Sequence, residues 1–231
     1  MENRSIAIDG PAGAGKSTLS KMLAEKFGLI YVDTGAMYRT VGLHILRTGA
    51  DPHDENAVAE RLPEIKIEMC YDDNDSQRML LNGDDVTEDI RQPQVSIYAS
   101  DVSALPSVRA FLLEMQRTMA KNYDVIMDGR DIGTVVLPGA GLKIFLSAAP
   151  EERARRRHRE LLGKAVDTTY EEVLRDMKYR DENDANRAAS PLKPAEDAVM
   201  VDTTGNSLEK SFEVMAQLIS EKLYGDVKSD N

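Results

Sequence analysis

Cysteine, histidine and tryptophan are scarce or absent in this chain, and long apolar runs are missing. Cys70 is the single cysteine, which excludes an internal disulfide framework and any zinc site built from several cysteines. It lies in an alternating apolar stretch, so we expect a small core or strand residue. No stretch approaches the roughly 20 apolar residues that span a bilayer. The first residues lead directly into an apolar run and leave no room for a secretory signal, so we expect a cytoplasmic protein.

Positive charge is also in short supply. The 231 residues contain 29 Lys and Arg against 40 Asp and Glu, which gives a net charge of −11. This balance argues against broad nucleic-acid binding, which needs a basic surface. An acidic protein that binds polyanionic nucleotides must concentrate its cations in one cleft, so the positions of its arginines are informative. The length allows one α/β domain with an insertion, or two small domains.

The most specific pattern in the chain is a phosphate-binding loop (P-loop) between a short apolar run and a segment with helical spacing. It comprises Gly10, Pro11, Ala12, Gly13, Ala14, Gly15, Lys16, Ser17 and Thr18. The glycines let backbone N–H groups surround a phosphate without obstruction from side chains. Lys16 can reach the β- and γ-phosphates, and the Ser17 hydroxyl can bind Mg²⁺. A glycine turn before an ordinary helix is the alternative, but the flanking pattern favours binding of a nucleoside triphosphate.

Five short apolar runs have the composition of buried strands, and each leads toward a helical pattern. They are residues 6–9, 29–32, 125–128, 143–146 and 199–202. The first helix is predicted over residues 16–27 with Gly28 as its stop, and Pro106 is expected to begin a long helix. Thr169–Glu172 and Asn206–Glu209 resemble capping boxes at further helix starts. The alternation predicts an α/β fold with a five-stranded parallel sheet and helices on both faces.

Residues from about 63 to 103 interrupt this alternation. Residues 65–70 alternate at period two, and Asn82-Gly83 is a strong turn signal. We therefore expect a small antiparallel insertion followed by a helix to about Ala104, although composition alone would favour a decorated surface hairpin. Residues 1–62 and 104–225 would form the core, and residues 226–231 a frayed tail.

Two carboxylates follow predicted strands near the P-loop. Asp128 ends an apolar run where P-loop proteins hold Mg²⁺ directly or through water, with a helix-capping role as the alternative. Asp33 ends the second strand at the carboxyl edge, where open α/β sheets bind ligands. Ser17, Asp33 and Asp128 are therefore the candidate Mg²⁺ ligands, partly through water. Arg39 would face the same cleft, with a surface ion pair as the alternative.

The densest basic run of the chain spans residues 151–159, on a predicted helix after Pro150. At i, i+3 and i+4 spacing, Arg153, Arg156 and Arg157 can form a cationic stripe. Such a stripe suits a short helical lid, at about residues 150–165, that closes on a triphosphate. Contact with nucleic acid is the rival interpretation, which the acidic remainder of the chain weakens. Separately, Arg180 and Arg187 are seven residues apart and could lie on the same face of a helix.

Taken in order along the chain, these segments resemble the bacterial cytidylate kinase family. The resemblance rests on the P-loop, Asp33–Arg39 (DTGAMYR), Asp128–Thr134 (DGRDIGT), residues 143–146, residues 151–154 and residues 190–192. It covers nearly the whole chain, and DTGAMYR and DGRDIGT are specific to this family among nucleotide kinases. It implies a nucleoside monophosphate kinase fold and Mg²⁺-dependent transfer of the γ-phosphoryl group of ATP to CMP and dCMP. A monomer with small-molecule substrates, without nucleic-acid or membrane partners, is expected.

The resemblance also implies a role for each motif residue. The implied catalytic residues are Lys16, Arg39, Arg130, Arg153 and Arg157, and Arg156 joins the P-loop in binding ATP. The implied CMP-binding residues are Thr34, Tyr38, Arg39, Ser100, Arg109, Arg130, Asp131, Arg180, Asp184 and Arg187. Among these, Arg39 and Arg130 would hold the phosphate, while Thr34 and Asp131 would accept from the cytosine amino group. The chain departs from some relatives at Asn183, where an arginine can occur.

Further absences separate this interpretation from its rivals. A P-loop GTPase switch normally carries an Asn-Lys-x-Asp motif, and an adenylate kinase carries Gly-Tyr-Pro-Arg; the chain has neither. UMP/CMP kinases of the eukaryotic type lack such an insertion, and a shikimate kinase would not explain the region of Asp131. The three histidines lie outside the motifs. A nucleotide phosphate with a second pKa near 6 is already anionic at neutral pH, so no general base is needed.

Overall fold

Strands and helices alternate along the chain in the computed structural model, which describes residues 4–72 and 77–225. The described strands are β1 (Ser5–Asp9), β2 (Ile30–Asp33), β3 (Ile67–Tyr71), β4 (Gln77–Leu81), β5 (Asp84–Asp85), β6 (Val125–Gly129), β7 (Leu142–Ser147) and β8 (Val199–Asp202). The described α-helices are α1 (Lys16–Phe27), α2 (Thr34–Thr48), α3 (Glu55–Arg61), α4 (Pro93–Val102), α5 (Pro106–Asn122), α6 (Pro150–Gly163), α7 (Tyr170–Asn186) and α8 (Leu208–Ile219). The predicted frayed tail, residues 226–231, lies outside the described residues.

The described chain divides into two compact units. The first contains the residues up to Val32, Arg117–Asn186 and the residues from Ser190 onwards. The second contains Asp33–Gln116 and Arg187–Ala189. The predicted division into a kinase core and an insertion at residues 63–103 stays a prediction. The two units are defined by contacts between residues, whereas the predicted division is one of function.

A five-stranded parallel sheet in the order β2-β6-β1-β7-β8 confirms the predicted sheet. Strand β1 pairs in parallel with both β6 and β7, and β7 pairs in parallel with β8. The register places Asp9 opposite Gly129, so β1 and β6 finish side by side. The residues that follow these two strands therefore begin at the same edge of the sheet.

Helix α1 has the predicted bounds, and its ends fix the P-loop in place. Gly28 ends the helix with a φ of 63°, a left-handed conformation that glycine adopts without steric cost. Leu19 and Leu23 are buried in a core that includes Ile8 and Ile126. With β1 and α1 anchored in one core, the loop between them has little freedom.

Two other helix starts test the predicted capping signals. Before α7, Thr169 and Glu172 form the predicted reciprocal capping box, with N···O distances of 2.8 and 3.2 Å. Before α8, the predicted box is displaced by one residue. Ser207 rather than Asn206 is the N-cap, and its hydroxyl accepts from the N–H of Lys210 at 3.1 Å. Pro106 begins α5 as predicted.

The second unit contains the antiparallel sheet predicted for the insertion, in the order β3-β4-β5. The turn from β4 to β5 uses Asn82 and Gly83 in left-handed conformations, with φ of 54° and 92°. Cys70 lies in strand β3 as expected, but its side chain is exposed and does not belong to the core. Edge residues of so small a sheet retain a solvent-facing side, which alternation alone does not reveal.

Helices α2 and α4 pack closely in the second unit. A Cβ atom on Gly42 would lie 2.8 Å from the backbone nitrogen of Ala99, so the helices approach at a position without a side chain. None of the helices in the described ranges has the length and apolar composition that crossing a bilayer requires.

Candidate active site

The P-loop passes directly from β1 into α1, and its glycines have the backbone conformations that the motif requires. Gly10, Gly13 and Gly15 have φ of 152°, 71° and 91°. A Cβ atom on Gly10 would collide with the carbonyl oxygen of Leu146, so the backbone passes β7 only without a side chain there. Lys16 is buried, and its Nζ donates to the carbonyl oxygens of Gly10 and Pro11, both at 2.8 Å. The loop is thus held in a curved shape by its own lysine.

The electrostatic environment of Lys16 favours an anion. Burial lowers the pKa of Lys16 to about 7, and the charge of Arg130 contributes to this lowering, while Asp128 and Asp184 oppose the shift. A phosphate beside the ammonium would stabilise its protonated form, because an opposite charge at short range favours the charged state. A nucleotide phosphate therefore matches both the backbone and the side chain of this loop.

Asp128 connects the P-loop to the sheet. Its Oδ2 accepts from the Ser17 hydroxyl at 3.0 Å, and its Oδ1 accepts from the Tyr31 hydroxyl at 2.9 Å. A hydroxyl and a carboxylate form the oxygen-only donor set that Mg²⁺ prefers, with water and phosphate oxygens as further ligands. Within the described ranges, no group of three or more His, Cys, Asp or Glu side chains could hold a metal. The Ser17 hydroxyl and the Asp128 carboxylate, 3.0 Å apart, are chemically suited to a magnesium ion shared with a nucleotide.

Tyr31 was not among the predicted site residues. Its position on β2, two residues before the end of the strand, is a weak signal because a tyrosine there usually serves packing alone. The hydrogen bond to Asp128 spans 97 residues, so nothing local in the sequence reveals it.

Asp33, the third candidate metal ligand, already has partners within the second unit. Its Oδ1 accepts from the N–H of Ala36 at 2.8 Å and caps helix α2. Its Oδ2 pairs with the Arg39 guanidinium at 2.8 Å. A role for Asp33 in holding Mg²⁺ stays a prediction.

Arg130 and Asp184 are brought together after β6. Arg130 Nε donates to Asp184 Oδ2 at 2.6 Å, and Arg130 Nη1 donates to the carbonyl of Gly129 at 3.2 Å. Asp131, the next residue, is 4% exposed. Arg180 lies one helical turn before Asp184 on α7. Four of the predicted acceptor-binding residues therefore belong to the first unit with the P-loop.

The basic run on α6 separates into side chains with different partners. Arg153 is buried; it pairs with Asp181 at 2.7 Å and donates to the P-loop carbonyl of Ala12 at 2.8 Å. Arg156 donates to the carbonyl of Thr203 at 2.9 Å, and Arg157 pairs with Glu160 at 2.7 Å. The predicted helix is confirmed, and Arg153 contacts the P-loop itself.

In the second unit, three predicted base-recognition residues surround Ser103, which was not predicted. The carbonyl of Ser103 accepts from Arg109 Nη1 at 3.2 Å, and its hydroxyl donates to the carbonyl of Ser100 at 2.7 Å. Arg187 Nη1 lies 3.4 Å from the same hydroxyl. The Arg109 guanidinium stands 5.8 Å from the centre of the Tyr38 ring. A serine just after a helix is too common to mark such a position in a sequence.

Two further positions complete the predicted set. Thr34 is the first residue of α2 and is 2% exposed. Arg187 follows the end of α7 at Asn186, so the expected helical spacing between Arg180 and Arg187 is not realised. The helix ends one residue before the second arginine.

Several known proteins similar to this chain in sequence are cytidylate kinases. The family model described as cytidylate kinase matches residues 6–221. The cytidylate kinase of Caldicellulosiruptor bescii is 51% identical over 230 residues, which cover 100% of each chain. That of Carboxydothermus hydrogenoformans is 52% identical over 217 residues, covering 94% of this chain and 97% of the relative. An uncharacterized protein from Eubacterium ventriosum shares the fold, with a TM-score of 0.51, 13% identity and coverage of 94% of this chain and 99% of that one.

Proposed function

The chain belongs to the cytidylate kinase family and is a nucleoside monophosphate kinase; from this premise we propose that it phosphorylates CMP and dCMP. ATP, the donor that the family implies, gives up its γ-phosphoryl group, and the products are CDP or dCDP with ADP. The observation that carries the proposal is the P-loop of the first unit, with Lys16 buried inside it and Ser17 bonded to Asp128.

The donor triphosphate would bind along the P-loop. Its backbone N–H groups and Lys16 would contact the phosphates, and Arg156 would contribute a further cation from α6. Ser17 and Asp128 would hold Mg²⁺, which when bound offsets the negative charge of the phosphates. The proximity of these two side chains supports this part of the proposal.

The acceptor phosphate would be held by Arg130 and Arg39. Asp184 bonds the Nε of Arg130 and orients the guanidinium, which leaves other N–H groups for a phosphate. Because the acceptor oxygen is already anionic near neutral pH, the reaction needs positioning and charge compensation and no general base. Arg153 and Arg157 would supply further compensation as charge spreads over the transferred group.

Selection of cytosine would depend on acceptors that face its amino group. Asp131 and Thr34 are both buried, which suits contact with a base. Uracil presents a carbonyl where cytosine presents an amino donor, so a buried carboxylate would be left unpaired at a cost of about 1–3 kcal/mol or more. In this proposal Ser100, Arg109 and Arg187 complete base recognition, Tyr38 contributes to the CMP site, and Arg180 and Asp184 reach the sugar.

The test is a coupled assay of ADP release with ATP and Mg²⁺, in which CMP, dCMP, UMP, AMP and GMP are offered separately. We expect strong turnover with CMP and dCMP and weak turnover with the other three. The Lys16→Ala variant should be inactive with all five, whereas Lys21→Ala, on the exposed side of the same helix, should match the wild type. Equal turnover of CMP and UMP would contradict the proposed base selection. We expect the active species to be a cytoplasmic monomer.

A further inference from the structure

Asp9 is a buried carboxylate to which none of the proposed roles applies. It is the last residue of β1 and immediately precedes Gly10, the first residue of the P-loop. The residue is 4% exposed. A carboxylate is rarely buried unless it is hydrogen-bonded, so its partners identify its function.

Both oxygens of Asp9 accept from backbone N–H groups of one distant segment. Oδ1 accepts from Ile132 and Oδ2 from Gly133, each at 2.8 Å. These two residues open a single helical turn, Ile132–Val136, directly after Arg130 and Asp131. The bonds join positions 123 and 124 residues apart in the chain.

The contact leaves little space for adjustment. A Cβ atom on Gly133 would lie 3.2 Å from Cδ of Lys143 and 3.4 Å from Oδ2 of Asp9. Gly133 is therefore enclosed between the lysine stem and the carboxylate. The segment that follows Arg130 and Asp131 is therefore bonded to the end of β1 and packs against the Lys143 side chain on β7.

The arrangement is costly for the protein to maintain. Burial raises the pKa of Asp9 to about 6, and the hydrogen bonds from Gly133 and Ile132 only partly offset that shift. A neutral side chain would avoid the desolvation of a charge, but only a carboxylate offers two acceptors to two adjacent N–H groups. A carboxylate that stays buried at this desolvation cost, with both oxygens bonded to adjacent backbone N–H groups, indicates a role beyond packing.

We propose that Asp9 is a positioning residue that sets the distance between the P-loop and the Arg130–Asp131 segment. Through its two hydrogen bonds, the loop that binds the donor and the residues that bind the acceptor share one rigid connection. This inference rests on the proposed function, because the acceptor roles of Arg130 and Asp131 are part of it. Both in-line transfer and cytosine selection would then depend on Asp9, although it touches neither substrate.

The test compares three variants with the wild type. Asp9→Asn keeps the shape but turns an amide N–H₂ toward one of the two N–H groups, so one bond is lost. Gly133→Ala keeps the carboxylate and displaces the segment by a few tenths of an ångström, as the enclosing atoms require. Asp124→Asn is the matched control, because Asp124 bonds the backbone N–H of Arg4 at the opposite end of the same strand pair.

The readouts are kcat with CMP, KM for ATP and the ratio of kcat/KM for CMP to that for UMP. We expect Asp9→Asn to lower kcat by about 10- to 100-fold, since misplacement by about 1 Å can cost that much. We expect KM for ATP to stay near the wild-type value and the ratio of kcat/KM for CMP to that for UMP to fall. Gly133→Ala should change the same quantities less, and Asp124→Asn should change none of them.

Two results would overturn the proposal. One is a folded Asp9→Asn enzyme with wild-type kcat and CMP/UMP ratio; the other is a loss of rate that follows the folded fraction while the ratio stays unchanged. If Asp9→Asn does not fold, Gly133→Ala decides by the same criteria. If the wild type prefers another monophosphate, the proposed function fails, and kcat with that acceptor still tests the position of Asp9.

Discussion

At the residue scale, three buried charged side chains of the first unit hydrogen-bond to backbone groups of loops and so help to define the shapes of those loops. Lys16 bonds two carbonyls of its own loop, Asp9 bonds two N–H groups of another, and Arg153 bonds the carbonyls of Ala12 and Ala148. Charge-assisted hydrogen bonds of this kind are stronger than neutral ones and have defined directions. Preorganised loops lower the reorganisation that phosphoryl transfer needs.

Replacing Asp131 tests the proposed recognition of the base. Asp131→Ala should lower kcat/KM for CMP by at least about tenfold, because a charged acceptor for the amino group is lost. The rate with UMP should fall less, so the two values should converge. Steady-state kinetics with both nucleotides measure this, and unchanged kinetics with CMP would remove Asp131 from base recognition.

Tyr31 offers a test of how Asp128 is oriented. Tyr31→Phe removes the hydrogen bond to Oδ1 of Asp128 and so weakens the orientation of the carboxylate toward Ser17. Loss of such an orienting partner typically weakens metal affinity by about 10- to 100-fold. We expect a higher Mg²⁺ concentration for half-maximal rate and for Mg²⁺-dependent binding of a fluorescent ADP analogue.

The control for this experiment is Tyr123→Phe, whose hydroxyl belongs to an exposed residue before β6. It should leave both Mg²⁺ dependences at wild-type values. A Tyr31→Phe enzyme with the wild-type Mg²⁺ requirement would show that Asp128 needs no such partner.

The buried carboxylate of Asp9 also predicts a pH dependence of stability. Burial raises its pKa from 3.8 to about 6 in the folded protein. The folded state therefore binds the proton of Asp9 more tightly than the unfolded state does. Protonation of Asp9 thus stabilises the folded protein below about pH 4, and this stabilisation is lost as the pH rises through about 6. Relative to Asp9→Asn, the free energy of unfolding of the wild type should fall by about 2–3 kcal/mol from pH 4 to 7. Urea unfolding at several pH values measures it, and a constant difference would contradict it.

At the element scale, the contact between α2 and α4 depends on Gly42. Gly42→Ala gains helix propensity of up to about 1 kcal/mol, but the new methyl group meets the backbone of Ala99 and forces the helices apart. Overpacking against backbone typically costs about 1–3 kcal/mol, so we expect lower stability. Since α4 carries Ser100, KM for CMP should also rise.

Gly163→Ala is the matched control, because Gly163 ends helix α6 and a Cβ atom there would have no neighbour within 4 Å among the described residues. It should be neutral or slightly stabilising in thermal unfolding. A Gly42→Ala protein as stable as the control would mean that α2 and α4 separate without cost.

The elements differ in how far the sequence predicted them. Helix α1 matches its predicted bounds, because its N-terminus is set by the P-loop and its C-terminus by Gly28. Four strands of the large sheet differ from the predicted runs by one residue at one or both ends, and β8 matches its run, since pairing with neighbours rather than composition decides where a strand ends. The N-cap at Ser207 and the end of α7 at Asn186 both depend on local backbone geometry. Two adjacent polar residues in a sequence do not show which of them caps the helix.

At the scale of the whole molecule, the net charge of −11 opposes contact with nucleic acid. The basic run on α6 does not reverse this, since Arg153, Arg156 and Arg157 all have acidic partners. We expect no shift of a short DNA duplex at physiological salt in an electrophoretic assay with protein at up to about 100 µM, which covers typical non-specific dissociation constants of about 1–100 µM.

Salt-dependent binding of the duplex would contradict this prediction and would support nucleic-acid contact as the function of the basic run. The double variant Arg155→Ala, Arg159→Ala would then identify its source, because both side chains are exposed on α6. Kinase activity should be unaffected in that variant.

The P-loop, the order of strands and helices and the family followed from the sequence alone. These features depend on contiguous residues: glycines that permit particular φ values, apolar runs that must be buried, and motifs whose spacing is read along the chain. The expected roles of Ser17 and Asp128 also came from such motifs and stay predictions; the structure shows only that the two side chains share a hydrogen bond.

Tertiary structure decided which groups share a hydrogen bond across long stretches of chain. The contacts of Asp9 with Ile132 and Gly133, of Tyr31 with Asp128 and of Arg153 with Ala12 join residues about 100 or more positions apart. No local pattern encodes such pairs, because they arise when parallel strands from distant segments finish at one edge of a sheet. The family could therefore be predicted from the motifs, while the position of the Ile132–Val136 segment beside the P-loop depends on how the strands are paired.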